Sequence, residues 1–558
     1  PSAAFGRNQR GWRALAGNGY SSIPVDIWDK RKDATMKLME LYQDKIVGAI
    51  RGLDRTRFRG TLRWLATSRG LGTFMNHAGI LLKDFSGWVD GLTARIRESA
   101  EQRAKDLGIE VRYLTRGGVD KESLAREIAQ AHGITQGSIC LLSVVEPCIA
   151  PMVKGNKAAG KLEIVMAPRK CVWLYHYFDD PALGFGHVRL QSWVPFNVFI
   201  CLNGRHWLER QLQNHGIGYL KDGNCFPWIQ DLQAAQRLLD EQLQSNWTEL
   251  LNALALGSCP ALPEVLSPLH PEYYWSADET EWATDILFQS PASLDAIYPS
   301  LLHHAMRVSD SPSVMRYFGR RDLSRSGRIK GRAPREVMAD CRKFYEGFRV
   351  KHWLNRNSIK MYNKSGSILR IETTINHTRD FKVFRPPEDD ANRPASWQQM
   401  RKGVSDLHRR CELSDQCNER YAEAMASAEI QEKLKEVVTP ACNRIRKNGK
   451  NYRGLNPWQE QDYQLLRFLA QGHQALNGFR NKDLRRWLYP KSDEADPQQR
   501  RRDAGRTTRC IKLLRAHGLV RKVAKENRYT LTAQGQKFAT ALLSASAVDI
   551  KGLTKLAA

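Results

Sequence analysis

Three acidic residues near the middle of the chain, Asp278, Glu281 and Asp285, have the types and spacing that divalent metal ions require. Their i, i+3 and i+7 positions share one face if the segment is helical. Clustered carboxylates can bind Mg²⁺ or Mn²⁺, and the bound ions promote phosphodiester cleavage by activating water and stabilising the leaving oxygen. Glu146 and Asp222, at two β-like runs, would add further carboxylates. The alternatives are a solvated acidic face or a contact surface for the protein's own basic segments.

A second set of residues has the chemistry of nucleic-acid recognition. Near the C-terminus a predicted helix carries cations on its outer positions and leaves Ile511 and Leu514 for the core. Arginines of such a helix can read guanine edges in a major groove, while residues of a β-wing lie near the backbone. The alternative is that this segment contacts another protein or recognises the shape of an RNA. The predicted contacts are Arg500, Arg501, Arg502, Arg506, Thr507, Arg509 and Lys512 in the helix, and Lys525 and Arg528 in the wing.

A third set alternates cations with aromatic residues. Single-strand binders place cations along the phosphates and stack bases on exposed rings. The alternative is that the rings are core and only the charges are exposed. This pattern, with an Arg-rich segment near the N-terminus, predicts nucleic-acid contacts at Arg320, Arg321, Arg325, Arg328, Lys330, Arg332, Trp353, Arg59 and Arg63.

The net charge supports a polyanionic partner. The 558 residues carry 86 Lys and Arg against 59 Asp and Glu, a formal charge of +27. Residues 441–540 contribute +15 and residues 307–370 contribute +12, so two windows account for the whole excess. Residues 238–306, in contrast, contain ten acids and no Lys or Arg. That stretch cannot line a phosphate backbone without an intervening cation, and nucleic acid is the expected partner of the basic windows.

Several classes of protein are disfavoured. The longest apolar runs are much shorter than the roughly 18 residues of a membrane helix, and residues 1–13 are polar and basic. Eleven scattered cysteines form neither a disulfide framework nor a zinc pattern. We expect reduced thiols in a cytoplasmic bacterial protein, at the nucleoid if it binds DNA, with no membrane partner. The sequence does not indicate an oligomeric state, and it implies no cofactor unless the carboxylates hold metal.

The pattern of elements predicts a multidomain α/β (α+β) protein. Residues 1–117 read as a mainly helical basic region, with helices over 27–53 and 90–107. Residues 118–244 read as an α/β domain whose β-β-β-α-β-α order matches the opening of an RNase H-like fold and many other arrangements. An acidic module (245–310), a basic loop and β module (311–395) and a helical connector (396–454) follow.

Residues 455–558 predict three helices, two short strands and a last helix. Asn456 and Pro457 suit a helix start, Asn481 caps a second helix, and Gly518 stops a third. Through "LLRAHGLVRK" and "RYTLTAQG", with their spacing, this segment resembles the winged helix-turn-helix of MarR-like and ArsR-like bacterial regulators. The resemblance covers about 90 residues and implies DNA or RNA contact through the third helix.

A wider resemblance extends over most of the chain. It is carried by "FRGTLR", "VEPC", "RLQSW", "LNGRHWLERQL", "EWATDILF" and "SIKMYNKSGSILRIETTINHTRDFKVFR". These segments resemble a widespread family of large uncharacterised bacterial proteins, which implies no activity.

Together these features predict a nucleic-acid-binding protein, for DNA, RNA or both, of a bacterial mobile element or ribonucleoprotein. A metal-dependent nuclease or transposase on the same body is the alternative, with catalytic Asp278, Glu281, Asp285 and Glu146 and with Asp278, Glu281 and Asp285 holding Mg²⁺ or Mn²⁺. A transcription regulator with a ligand-sensing body is a third hypothesis.

Overall fold

One large mixed sheet organises the chain. The computed structural model describes residues 37–158, 160–267, 272–309, 311–319, 337–344, 347–387, 393–426, 434–471, 478–523 and 526–546. Eleven strands form a sheet in the order β10-β11-β12-β13-β9-β1-β6-β5-β4-β3-β2, in which only the β2–β3 pair is parallel. Its strands are β1 (Ile46–Thr61), β2 (Glu110–Leu114), β3 (Gly137–Asn156), β4 (Lys161–Asp180), β5 (Gly184–Gln191), β6 (Val198–Asn203), β9 (Tyr274–Phe288), β10 (Val337–Phe344), β11 (Gly347–Leu354), β12 (Asn357–Lys364) and β13 (Ile368–Ile375).

Four two-stranded hairpins complete the strands of the described residues. They pair β7 (Tyr219–Asp222) with β8 (Cys225–Ile229), β14 (Lys382–Arg385) with β15 (Ser396–Gln399), β16 (Ile445–Lys447) with β17 (Lys450–Tyr452), and β18 (Val520–Lys522) with β19 (Tyr529–Leu531).

Helices pack around the sheet and form a separate cluster near the C-terminus. They are α1 (Lys37–Leu41), α2 (Ser68–His77), α3 (Phe85–Asp106), α4 (Lys121–Ala131), α5 (Gly204–Asn214), α6 (Leu232–Gln242), α7 (Trp247–Ser258), α8 (Leu262–Val265), α9 (Pro291–Asp295), α10 (Tyr298–Val308), α11 (Ser311–Tyr317), α12 (Leu407–Met425), α13 (Leu434–Cys442), α14 (Glu460–Ala470), α15 (Asn481–Leu488), α16 (Pro497–Ala516) and α17 (Ala533–Ser546). None of the described helices is long and apolar enough to cross a lipid bilayer.

The expectation of helix over 27–53 is wrong for residues 46–53, which open strand β1. Within β1, exposed or half-buried Arg55, Arg57 and Arg59 alternate with buried Thr56 and Phe58. A two-residue period is that of a strand with one covered face, and it places the arginines together on the other face. The N-terminal region therefore supplies a central strand of the sheet in addition to helices α1, α2 and α3.

The sheet connects segments that the sequence divides into separate modules. Strand β9, from the Lys/Arg-free stretch, lies between β13 of the basic module and β1 of the N-terminal region. The helical connector is divided between two cores, because Cys417 and Tyr421 of α12 pack with the sheet while Val437 of α13 packs with Leu466 of α14. Described residues from 434 onwards thus share a C-terminal core.

Candidate nucleic-acid interface and central charged cluster

Helix α16 is built from clear start and stop signals. Asp496 caps it by accepting hydrogen bonds from the backbone nitrogens of Gln498 (2.8 Å) and Gln499 (2.9 Å), and Pro497 is its first residue. Gly518 follows it with a positive φ of 72°, the usual left-handed stop. Ile511 and Leu514 are buried in the C-terminal core, so the opposite surface of the helix faces solvent.

The exposed surface of α16 is strongly cationic. Arg501, Arg502, Arg509 and Lys512 are exposed, and none of them forms an ion pair within the residues that the structure describes. Arg506 is also exposed, with its Nη1 3.8 Å from Asp503 Oδ1. A surface that carries so many uncompensated positive charges favours a polyanion.

Three of the predicted contacts in this region have other roles. Thr507 is buried and its hydroxyl donates to the carbonyl of Asp503 (2.8 Å), so its side chain does not lie on the exposed cationic surface of α16. The guanidinium of Arg500 donates to the carbonyl of Asp493 (2.6 Å), which holds it against the preceding 3₁₀ turn. Arg528 is half-buried with its Nε 3.4 Å from Glu526, and Lys525 lies outside the described residues.

The predicted contacts in the body lie at separate places. Arg320, Arg321, Arg325, Arg328, Lys330 and Arg332 fall outside the described residues. Trp353 of β11 is half-buried beneath Lys351, whose Nζ is 4.8 Å from the ring centroid. Arg59 lies over Phe199 (5.5 Å), and exposed Arg63 lies over Tyr274 (3.5 Å).

The acidic triplet does not form the predicted helical face. Residues 278–285 belong to strand β9, and the regular pairing of Thr280–Leu287 with β13 puts Glu281 and Asp285 on one face. Asp278 lies at a shift of the β1–β9 register, and its charge acts on Arg410, which donates to Thr280 on the opposite face. Asp278 has its carboxylate 3.7 Å from Lys402 Nζ. The proposed metal set of Asp278, Glu281 and Asp285 is therefore not assembled.

Asp285 is bound by two buried arginines. Arg370 donates from Nε to Oδ1 (2.5 Å) and from Nη2 to Oδ2 (2.9 Å), while Arg205 Nη2 lies 2.9 Å from Oδ2. Burial would raise the pKa of Asp285, but the Arg370 and Arg205 guanidinium groups hold it below its usual value. Arg370 also donates to Asp54 (2.9 Å), whose Oδ1 accepts from Asn224 (3.0 Å). Asp285 is thus a counter-ion for Arg370 and Arg205.

Strands β1, β9, β12 and β13 place further charged side chains near Asp285 and Arg370. Glu372 accepts from Tyr362 OH (3.0 Å) and contacts Lys360 Nζ at 2.6 Å. Arg55 Nη2 is 2.7 Å from Glu279 and 3.8 Å from Glu281. Burial, and then the negative charge of Glu372, raise the pKa of Glu281 to about 8.

We call the charged side chains around Asp285, Arg370 and Glu281 the central charged cluster. It contains five carboxyl groups and four cations, so one bound proton makes it neutral, in agreement with the raised pKa of Glu281. Its members are Asp54, Arg55, Arg205, Glu279, Glu281, Asp285, Lys360, Arg370 and Glu372.

Glu146 lies in a different part of the sheet. Its carboxylate accepts from Tyr175 OH (2.7 Å) and Arg189 Nη2 (2.7 Å), and it is 3.0 Å from Lys121 Nζ. It belongs to β3, and four strands separate it from β9, so the structure does not bring Glu146 to the acidic triplet. Asp222 accepts from Ser365 Oγ (2.6 Å). Across the described ranges, no group of three or more His, Cys, Asp or Glu side chains is arranged to hold a metal ion.

Sequence reasoning missed Asp54, Arg205, Arg370 and Glu372. The signal was present, because "LNGRHWLERQL" contains Arg205, "EWATDILF" contains Asp285, and "SIKMYNKSGSILRIETT" contains Arg370 and Glu372. These segments meet in one place, although they are far apart in the chain. Neither a family model nor a curated protein nor a solved structure matches the chain.

Proposed function

We propose that the protein binds nucleic acid and that α16 makes the main contact with a duplex. The observation that carries the proposal is the set of exposed cations on α16 without ion pairs among the described residues. We propose further that residues 455–546 form a winged helix-turn-helix, because helices α14, α15 and α16, strands β18 and β19, and helix α17 follow in the order that this fold requires.

In this arrangement α16 enters the major groove. Arg502, Arg506 and Arg509 are spaced at i, i+4 and i+7, so they lie along one face, where arginine can form two hydrogen bonds with guanine. The β18–β19 hairpin carries exposed Arg521 and Lys522, which suits contacts with the neighbouring backbone. We infer that base reading and phosphate binding are divided between the helix and the hairpin.

Two single substitutions test the proposal. Arg506→Ala and Arg509→Ala should each weaken duplex binding, by about 1–3 kcal/mol where the arginine reads a base. Arg97→Ala is the matched control, because Arg97 is an exposed arginine of α3 with no ion pair among the described residues. Affinity would be measured by fluorescence anisotropy on labelled duplexes of random and selected sequence.

The pattern of affinity changes separates the roles of the two arginines. Replacing an arginine that reads a base weakens binding to selected sequences more than to random ones, whereas replacing a phosphate-binding arginine weakens both equally. If both variants bind like the Arg97→Ala control, α16 is not the interface and the proposal is wrong.

A further inference from the structure

Three arginines occupy alternate positions of the central strand β1. Arg55, Arg57 and Arg59 point to the same face, because the residues between them, Thr56 and Phe58, are buried on the other. Arg55 and Arg57 are exposed and Arg59 is half-buried. We call Arg55, Arg57 and Arg59 the arginine stripe.

The charges of the stripe are only partly compensated. Glu279 lies opposite Arg57 in the β1–β9 register, but its carboxylate is 2.7 Å from Arg55 instead. Within the described residues no ion pair involves Arg57 or Arg59, and the buried Nε of Arg59 has no hydrogen-bond acceptor. Like charges on alternate residues repel one another, so an arrangement of this kind favours an external anion.

A neighbouring strand fixes the position of Arg59. Phe199 of β6 lies opposite both Arg59 of β1 and Arg189 of β5. The guanidinium carbons of Arg59 and Arg189 are 5.5 and 5.4 Å from the Phe199 ring centroid. The cation–π contact holds the Arg59 guanidinium in place while leaving its N–H groups available to an external acceptor. Arg189, in contrast, already donates to Glu146 (2.7 Å).

We propose that the arginine stripe binds the phosphodiester backbone of a single nucleic-acid strand. Alternate residues of a strand are about 6.7 Å apart, which is similar to the spacing of successive phosphates in an extended chain. An open sheet face with fixed cations follows such a backbone without reading its bases. This site is separate from α16. It rests on the proposed function only in taking nucleic acid as the class of partner.

The test uses the full-length protein and labelled oligouridylate and oligothymidylate. Arg57→Gln/Arg59→Gln should bind both probes about tenfold more weakly at low salt. Its plot of log K against log salt should be less steep by about 1.4, because each phosphate of a single strand that a cation neutralises contributes about 0.7 to the slope. Arg57→Lys/Arg59→Lys retains the charge and should recover most of the slope, and Arg97→Gln is the control for the removal of a surface charge.

The outcomes separate this proposal from the function of α16. Arg57→Gln alone should show about half of the slope change, and because Arg57 is exposed this variant should fold normally. A slope equal to that of Arg97→Gln in the single and double variants overturns the proposal, whatever Arg506→Ala does to duplex binding. An equal decrease in affinity for duplex and single-strand probes would also overturn the assignment to a single strand.

Discussion

At the scale of single residues, the acids of the Lys/Arg-free stretch act as partners for cations from other parts of the chain. Asp285 contacts Arg370 and Arg205, Glu279 contacts Arg55, and Glu264 contacts Arg95. Removing one partner of a buried ion pair leaves an uncompensated charge, at a cost of about 3–5 kcal/mol. The buried pairs of Arg370 therefore hold β9, β13 and β1 in one arrangement.

Glu281 gives the cluster a measurable dependence on pH. Its carboxyl group has a pKa of about 8 in the folded state and near 4.5 in the unfolded chain. Between these values the folded state retains a proton that the unfolded state has released, so the free energy of unfolding falls as pH rises. The charged groups that act on it are Glu372, Lys360, Arg55 and Asp54.

Glu281→Gln should remove this dependence. The slope for one group approaches about 1.4 kcal/mol per pH unit, and the variant should be more stable than the natural protein at pH 8. Urea unfolding at several pH values between 5 and 9 (roughly the range of the transition) measures the difference. Asp278→Asn, on the opposite face of β9, is the control and should leave the slope unchanged; parallel curves for Glu281→Gln and the natural protein would contradict the prediction.

At the scale of elements, a close approach between α5 and β1 positions Arg205. A Cβ atom at Gly204 would lie 2.1 Å from the carbonyl oxygen of Leu53, so only glycine allows the helix to begin there. The next residue, Arg205, is fully buried and reaches Asp285. The helix start and the central charged cluster therefore depend on the same glycine.

Gly204→Ala should destabilise the body by at least about 1–3 kcal/mol, because the helix must move away from β1 and take Arg205 with it. Gly91→Ala is the matched control: Gly91 lies inside α3, and a Cβ there meets no atom within 4 Å. That control should be neutral or more stable, by up to about 1 kcal/mol. Thermal unfolding of both variants measures the contrast, and equal midpoints would show that the helix start adapts freely.

The elements also show what the sequence alone could predict. The C-terminal sequence predicts the helices and strands to within a few residues, because Gly518 and the apolar spacing are local signals. The predicted start signals are displaced: Gln459, not Asn456, is the N-cap of α14, and Arg480, not Asn481, is the N-cap of α15. The sequence does not show that the acidic triplet lies on a strand, because β9 is buried on both faces from Trp282 to Phe288 and its apolar residues show no alternation. The partners of Asp285 lie 80 to 85 residues away in sequence, beyond the reach of any local pattern.

At the scale of the whole molecule, the positive charge is divided between two bodies with separate cores. The sheet and its helices bury their own apolar clusters, and α13 to α17 bury another. Exposed cations lie on both, in the arginine stripe and on α16. We therefore expect each body to contribute separately to the affinity for nucleic acid and to its dependence on salt.

Removing residues 427–558 should separate these two terms. The cut falls before α13, because a cut at 455 would leave Val437 and Ala441 without the core that covers them. The truncated protein should bind duplexes much more weakly, and its log K against log salt slope should become less steep by about 0.9 for each phosphate that α16 and the hairpin no longer neutralise. Single-strand binding should persist, with a slope that Arg57→Gln still reduces. An unchanged duplex slope after truncation would place the duplex interface on the sheet body instead of α16.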